Sequence, residues 1–515
     1  KRGGGVTKRE IQKLNTNFLG HPKPLFSLTM VELWERFSFY GVRSLLVLFM
    51  VTTIHKGGLG ISTEYASAIY GIFAGCLYLA ALPGGWITDN YLGQKKALFL
   101  GSFIIALGHI CIALSILSTP VFFLGLTFIV IGTGFFKTSA SVTVGMLYKK
   151  NDTRCDMGYT IFYTGINIGA FIAPLICGFI QAKWNYHLGF AIGGLGMLIS
   201  LLILYFKATP ELEEFHENYT LEQNWKQPFK KTKNLTLILS ISLLSIIGFF
   251  LIFINLVNIN PIALSKKLLI IILLCLAIYF IYLFVFKTLN KKEKQQLTIL
   301  IILFFAAAFF WSTFEQKPTA YNLFAQDFTN RNIFDWKIPT NWFQSFNPIF
   351  IIILAPIASY IWIFLEKKDI HFSSIGKFTL GILFAGIGFM MMTFASQSLI
   401  NNNGLPISML WIIISIFFLT LGELCVSPIG LSIMAKAAPT LIKNQIMGLW
   451  FVASALGNLV AGLIGGNVNI KNIDQLPNIF GQCMWVLFIV ALLLFIVKKP
   501  INKILNDKYQ KIYSK

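Results

Sequence analysis

Glu32-Leu33-Trp34-Glu35-Arg36-Phe37-Ser38-Phe39-Tyr40-Gly41-Val42-Arg43 places two acids and two bases inside a stretch that is otherwise apolar, aromatic or small. Glu32, Glu35, Arg36, Phe39, Tyr40 and Arg43 recur at i, i+3, i+4, i+7, i+8 and i+11, the spacing of one helix face. The flanking residues are hydrophobic for long enough to cross a bilayer, where a charge costs about 2.5 to 3.5 kcal/mol on insertion scales. Charges in that position pair with one another or line a water-filled path. Three more, Lys137, Glu315 and Glu423, fall in other apolar runs, giving four acids and three bases within expected spans. Together they imply a polar cavity inside a helical bundle.

Composition supports that frame. The 515 residues are 56% hydrophobic, 15% aromatic and only 12% charged, which excludes an ordinary soluble protein and predicts an all-α membrane protein. Fourteen spans are expected, near 29–51, 66–88, 96–117, 120–147, 158–181, 187–206, 234–256, 267–287, 296–316, 341–365, 374–397, 407–435, 443–465 and 479–498. An even number puts both termini on one side, and the loops and tails of that side hold 31 of the 42 Lys and Arg residues. The positive-inside rule makes that side cytoplasmic and predicts a multi-pass protein of the cytoplasmic (inner) membrane. The net charge of +21 is thereby a topology signal, and no nucleic-acid partner is expected. Seven cysteines without a C-x-x-C pair and six scattered histidines predict neither a disulfide framework nor a metal site.

The chain divides into a cytoplasmic segment (1–28), six spans (29–206), a charged cytoplasmic loop (207–233), two inserted spans with their linker (234–295), six further spans (296–498) and a cytoplasmic tail (499–515). The inserted pair carries no acid or base in its interior and is expected to face lipid. Two six-helix bundles joined by a basic loop resemble the plan of the major facilitator superfamily. Gly85-Trp-Ile-Thr-Asp89-Asn-Tyr-Leu-Gly93-Gln-Lys95-Lys96, between the second and third spans, resembles its loop motif. The pairs Gly71/Gly75, Gly165/Gly169 and Gly462/Gly466 predict close helix approaches, and Pro174, Pro348, Pro356 and Pro428 predict bends within spans. Gly132-Thr-Gly134 near Lys137 follows no strand and is not a phosphate loop.

The opening stretch resembles the E-x-x-E-R-F-x-Y-Y signature of the proton-dependent oligopeptide transporter family. Further matches follow in order from about residue 20 to 465: Phe135-Phe-Lys137, Phe162-Tyr163-x-x-Ile166-Asn167-x-Gly169, Phe310-Trp311-x-x-x-Glu315-Gln316, Phe346-Asn347-Pro348, Gly422-Glu423-Leu-x-x-Ser427-Pro428-x-Gly430, Gly448-x-Trp450-Phe451 and Gly457-Asn458. The two inserted spans resemble those of bacterial members. The resemblance implies symport of di- and tripeptides with protons by alternating access, powered by the proton gradient and needing no cofactor. It also implies a functional monomer whose other contacts are membrane lipids.

A short peptide is a zwitterion, so its site needs a base for the carboxylate and an acid for the amine, roughly 7 Å apart for two extended residues. By resemblance, Arg36, Tyr40 and Lys137 would engage the carboxylate, with Arg43 near the pathway. Glu423, Asn347 and Asn167 would hold the amine and the peptide bonds, with Ser427 beside them. Phe39, Tyr78, Phe310, Trp311 and Trp450 would wall pockets for variable side chains. The carried proton is expected on Glu32, Glu35 or Glu315, whose salt bridges to Arg36, Arg43 and Lys137 would be remade during the cycle, with Arg43 and Glu315 as a pair across the halves. Two positions depart from the family pattern: Phe39 stands where many members have tyrosine, and Gly71 where animal members carry histidine. An intramembrane enzyme lacks support, since no Ser/His or His/Asp constellation or H-E-x-x-H pair is present. Rival functions are transport of another zwitterion or anion, such as nitrate, an amino acid or a peptide-like metabolite, and non-transporting peptide sensing.

Overall fold

The computed structural model describes residues 7–221, 225–226, 235–255 and 258–513. Gly3 to Gly5 and the end residues Asn234 and Leu256 of the expected seventh span lie outside them. The chain is almost entirely helical: α1 (Lys8–Thr16), α2 (Lys23–Val51), α3 (Thr63–Ile87), α4 (Gln94–Ala113), α5 (Thr119–Met146), α6 (Cys155–Lys183), α7 (Tyr186–Ile203), α8 (Thr209–Tyr219) and α9 (Leu235–Ile254) come first. There follow α10 (Pro261–Phe286), α11 (Lys291–Phe314), α12 (Asn322–Phe328), α13 (Phe346–Lys367), α14 (Ser374–Asn401), α15 (Leu410–Ala437), α16 (Ile446–Gly465) and α17 (Leu476–Tyr513). Four two-residue strands sit outside the long helices: β1 (Thr329–Asn330) pairs in parallel with β4 (Ile407–Ser408), and β2 (Asn332–Ile333) pairs antiparallel with β3 (Trp336–Lys337).

Among the described residues, twelve helical segments are long and apolar enough to cross a membrane. The long apolar helix α2 is additional, and its five charged residues, four of them in its interior, set it apart from them. Local chemistry fixes several helix starts. Thr7 and Glu10 form a reciprocal capping box on α1, and the Asn185, Asn260, Asn290 and Ser373 side chains accept from the first-turn N–H groups of α7, α10, α11 and α14. Pro174, Pro356 and Pro428 lie inside helices, as the sequence predicts, and so does Pro83 in α3. Pro348 is different: it occupies the first turn of α13, where its missing N–H forfeits no helical hydrogen bond. Part of the charged segment 207–233 is helical, because Leu212 and Phe215 of α8 are buried although Glu211, Glu213 and Glu214 surround them.

The chain forms two compact units, one from Lys1–Leu45 with Leu79–Leu256 and one from Leu46–Tyr78 with Val257–Lys515. In the first, α4 packs between α5 and α7 and α6 lies on α7. In the second, α14 packs against α15 and α17, and α11 against α16 and α15. Much of the apolar surface of α9 and α10 is exposed, including Leu243, Leu244, Ile270, Ile271 and Leu274, as lipid-facing helices require.

Small residues set the helix crossings. A Cβ on Gly132 would meet the Gly101 carbonyl oxygen of α4 at 2.7 Å, and one on Gly134 the Ala80 oxygen of α3 at 2.6 Å. The Gly132-Thr-Gly134 segment is therefore a packing surface on both sides. In the second unit a Cβ on Gly71 would lie 2.9 Å from Gly462 Cα, so α3 and α16 touch backbone to backbone. The Ser67 hydroxyl donates to the Gly462 carbonyl at 2.5 Å in the same seam.

Candidate functional site

The α2 stripe forms a compact ion cluster. Arg36 donates through Nε and Nη2 to the two oxygens of Glu35, at 2.5 and 2.7 Å, a bidentate pair. Its Nε also lies 3.7 Å from Glu32 Oε1. All three residues are buried, and Glu32 Oε2 is buried with no hydrogen-bond partner among the described residues. The guanidinium lies over the Phe39 ring at 4.6 Å and near Tyr40 at 5.6 Å, and Arg43 also lies near the Tyr40 ring, at 5.2 Å. Lys137 of α5 and Tyr163 of α6 are within electrostatic reach of Glu32. The family-like glycines of α6 make this possible: a Cβ on Gly165 would meet Thr29 Cγ2 at 2.5 Å, and one on Gly169 would meet Phe37 N at 3.1 Å. Two glycines thus let α6 lie directly on α2. Asn167, between them, turns its amide back to the Tyr163 carbonyl at 3.0 Å.

The second unit holds a separate polar group. Asn347, on the first turn of α13, donates to Glu423 Oε2 at 3.1 Å and to Thr420 Oγ1 at 2.9 Å, both on α15. Ser427 stands one turn beyond Glu423 on that helix. Trp311 of α11 and Trp450 of α16 meet edge to face, with ring centroids 5.9 Å apart, and Tyr78 lies beside Phe451 at 6.2 Å. Motif glycines seat these rings. A Cβ on Gly430 would lie 2.7 Å from the Trp450 ring, and one on Gly457 would press on Trp311 and on Ser312 N at 2.8 Å. Glu315 and Trp311 are buried, and Trp311 Nε1 has no hydrogen-bond partner among the described residues.

Two participants escape sequence reading. Lys317 is buried within the helical continuation Lys317–Tyr321, its ammonium donating to the Phe314 carbonyl at 3.1 Å and lying over the Phe314 ring. The expected span ends at 316, so Lys317 is read from hydropathy as a loop residue. Its burial adds a fourth base to the three expected within spans. Thr420 carries no sequence signal at all, since a threonine among apolar residues more often bonds only to its own helix.

On the cytoplasmic end expected from charge placement, Gly93 has φ +75°, which glycine alone adopts without strain, and it ends the turn between α3 and α4. Lys95 pairs with Glu213 of α8 at 2.6 Å, and Lys226 joins the same carboxylate at 2.6 Å. Arg154 holds Asp152 through Nη2 at 2.8 Å and donates to the carbonyls of Asn15 and Gly20, each at 2.8 Å. Tyr219 donates to the Ile11 carbonyl at 2.7 Å, and His21 Nδ1 meets Tyr148 Oη at 2.7 Å. Burial, with Arg154 nearby, holds the His21 imidazole below its usual pKa, and bonds from Arg154 hold Asp152 low.

The chain resembles known transporters over nearly all of its length. It is 48% identical over 492 residues to the peptide transporter YePEPT of Yersinia enterocolitica subsp. palearctica, covering 95% of this chain and 96% of that one. It is 35% identical to a di-/tripeptide transporter of Lactococcus lactis subsp. cremoris, over 97% of this chain and 99% of that one. A crystal structure of a peptide transporter POT in complex with sulfate superposes with a TM-score of 0.86 at 31% identity, covering 97% of this chain and 99% of that one. The family model described as the POT family matches residues 95–486, and the chain belongs to the POT family.

Proposed function

We propose that this protein is a proton-coupled symporter that imports di- and tripeptides across the cytoplasmic membrane by alternating access, with fourteen spans and both termini in the cytoplasm. α2 and the shorter apolar helix α9 complete the fourteen beside the twelve other apolar segments. The observation that carries the proton coupling is the buried cluster on α2, in which Glu32 and Glu35 compete for one guanidinium. Glu35 takes two parallel bonds from Arg36, through Nε and Nη2, whereas Glu32 stands farther off with one bare buried oxygen. Glu32 is therefore the carboxylate best placed to carry the proton: protonation there sacrifices the weaker ion pair. The positive charge of Arg36 and Lys137 suits a peptide carboxylate, and Glu423, already oriented by Asn347, suits the amine. Names borne by the relatives support peptides as cargo. No cofactor is required: one charge moving through ~100 mV supplies about 2.3 kcal/mol, or roughly 50-fold accumulation of a neutral peptide.

The test is uptake of labelled dialanine into proteoliposomes under an inward proton gradient with a negative interior, beside an ionophore control and Glu32→Gln. Ionophore-sensitive accumulation is expected, and Glu32→Gln should exchange peptide across the membrane without concentrating it. Accumulation by Glu32→Gln equal to that of the parent moves the proton to another carboxylate. Absence of any dialanine uptake by folded protein overturns peptide symport, in favour of another zwitterion, an anion or a sensor.

A further inference from the structure

We propose that Thr420 is a positioning residue for the peptide amine, acting through Asn347 on Glu423. The inference rests on the reading of Glu423 as the amine site. Thr420 and Glu423 lie three residues apart on α15, hence on one face, and α13 packs on that face to bring in Asn347. Thr420 is fully buried, and its hydroxyl donates to the Ile416 carbonyl at 2.8 Å. With its only proton committed, the oxygen can do nothing but accept toward Asn347. The Asn347 amide must therefore present its NH2 group, and it does, to Thr420 Oγ1 at 2.9 Å and to Glu423 Oε2 at 3.1 Å. A flipped amide would set Oδ1 against two acceptors, the hydroxyl lone pair and the carboxylate.

The consequence is a carboxylate that carries a neutral donor and no second cation from this pair. Such a donor fixes the Glu423 rotamer without itself neutralising the carboxylate, and it leaves Asn347 Oδ1 as the acceptor end of the amide. Without the Thr420 hydroxyl, the amide loses one of the two acceptors that fix its orientation. The carboxylate alone then holds the amide, which is less firmly fixed beside it, and the cost falls on ammonium binding.

The experiment measures dialanine affinity of the purified full-length protein in detergent for the parent, Thr420→Val, Thr420→Ser, Asn347→Ala, the Thr420→Val/Asn347→Ala double variant and Glu423→Gln, each checked for folding by thermal unfolding. Thr420→Val keeps the shape and removes the acceptor, so affinity should fall about three- to tenfold, the worth of one hydrogen bond, while Thr420→Ser retains it. In the Asn347→Ala background, Thr420→Val should cause no further loss, a result that mere helix packing would not give. The proposal is overturned by an equal loss in both backgrounds, or by parental affinity in Thr420→Val beside impaired Glu423→Gln. Parental affinity in Glu423→Gln instead overturns the amine reading itself, and no result at position 420 imitates that.

Discussion

At the residue scale, the α2 cluster couples stability to chemistry through one guanidinium. Arg36 serves Glu35 with two parallel bonds, a geometry that the single point charge of lysine does not reproduce. Arg36→Lys should therefore retain the fold but lower dialanine uptake on the order of tenfold, equivalent to about 1.4 kcal/mol, measured as initial rate in proteoliposomes at matched protein density. The motif glycines make a second residue-scale statement. Gly457→Ala would drive a methyl group into the backbone of α11, and overpacking of this kind costs about 1 to 3 kcal/mol. A clear drop in thermal unfolding temperature is expected, with a shift in tryptophan fluorescence because Trp311 is displaced. Gly248→Ala is the natural control: a Cβ there meets nothing within 4 Å, and the substitution should leave stability unchanged or slightly raised.

At the element scale, helix α1 is held by specific side chains that hydropathy does not reveal. Arg154 and Tyr219 bind its backbone carbonyls and those just beyond, so Arg154→Ala should speed hydrogen exchange across Lys8–Thr16 while leaving the α4–α5 contact protected. The site also has a pH sign. Burial, with Arg154 close by, makes the His21 imidazole harder to protonate in the folded state, so the unfolded chain takes up the proton at higher pH than the folded one. The stability contributed there is complete above about 6.5, the ordinary value, and is lost as pH falls below it. Thermal unfolding between pH 7.5 and 5.5 should show that loss, and His21→Gln should lack that component.

Elements also show what a sequence discloses. The α2 stripe was legible because the 3.6-residue period places Glu32, Glu35, Arg36, Tyr40 and Arg43 on one face, and the structure brings those groups into contact. Glycine pairs were legible as packing signals for the same reason, since their spacing matches a helix face. Lys317 was not, because hydropathy places a span boundary at the first charge, whereas π-helical turns carry α11 onward past Glu315. Nor was α8 legible as a helix: its glutamates look like a solvated loop until Leu212 and Phe215 find a core. The partner of Lys95 required three dimensions, because Glu213 lies 118 positions away in the chain.

At the scale of the whole molecule, the chain gathers into the two compact units described above. The segment Leu46–Tyr78 belongs with the later part of the chain, joined there by the α3–α16 seam. Gly462→Leu would force a branched side chain onto Gly71 Cα and the Ser67 carbonyl, each within 2.7 Å of an added Cβ. The seam should part: thermal stability falls by about 1 to 3 kcal/mol, and a Ser67→Cys reporter reacts faster with a thiol reagent than it does beside Gly462.

The same seam carries a consequence for heredity. Most helix contacts accept a spectrum of residues, since a longer side chain on one helix can be offset by a shorter one opposite. Where Gly71 meets Gly462, both partners are already at the minimum size, so neither can compensate for enlargement of the other. In this chain a larger residue at either position therefore breaks the contact, and the backbone-to-backbone seam persists only while both codons stand for glycine.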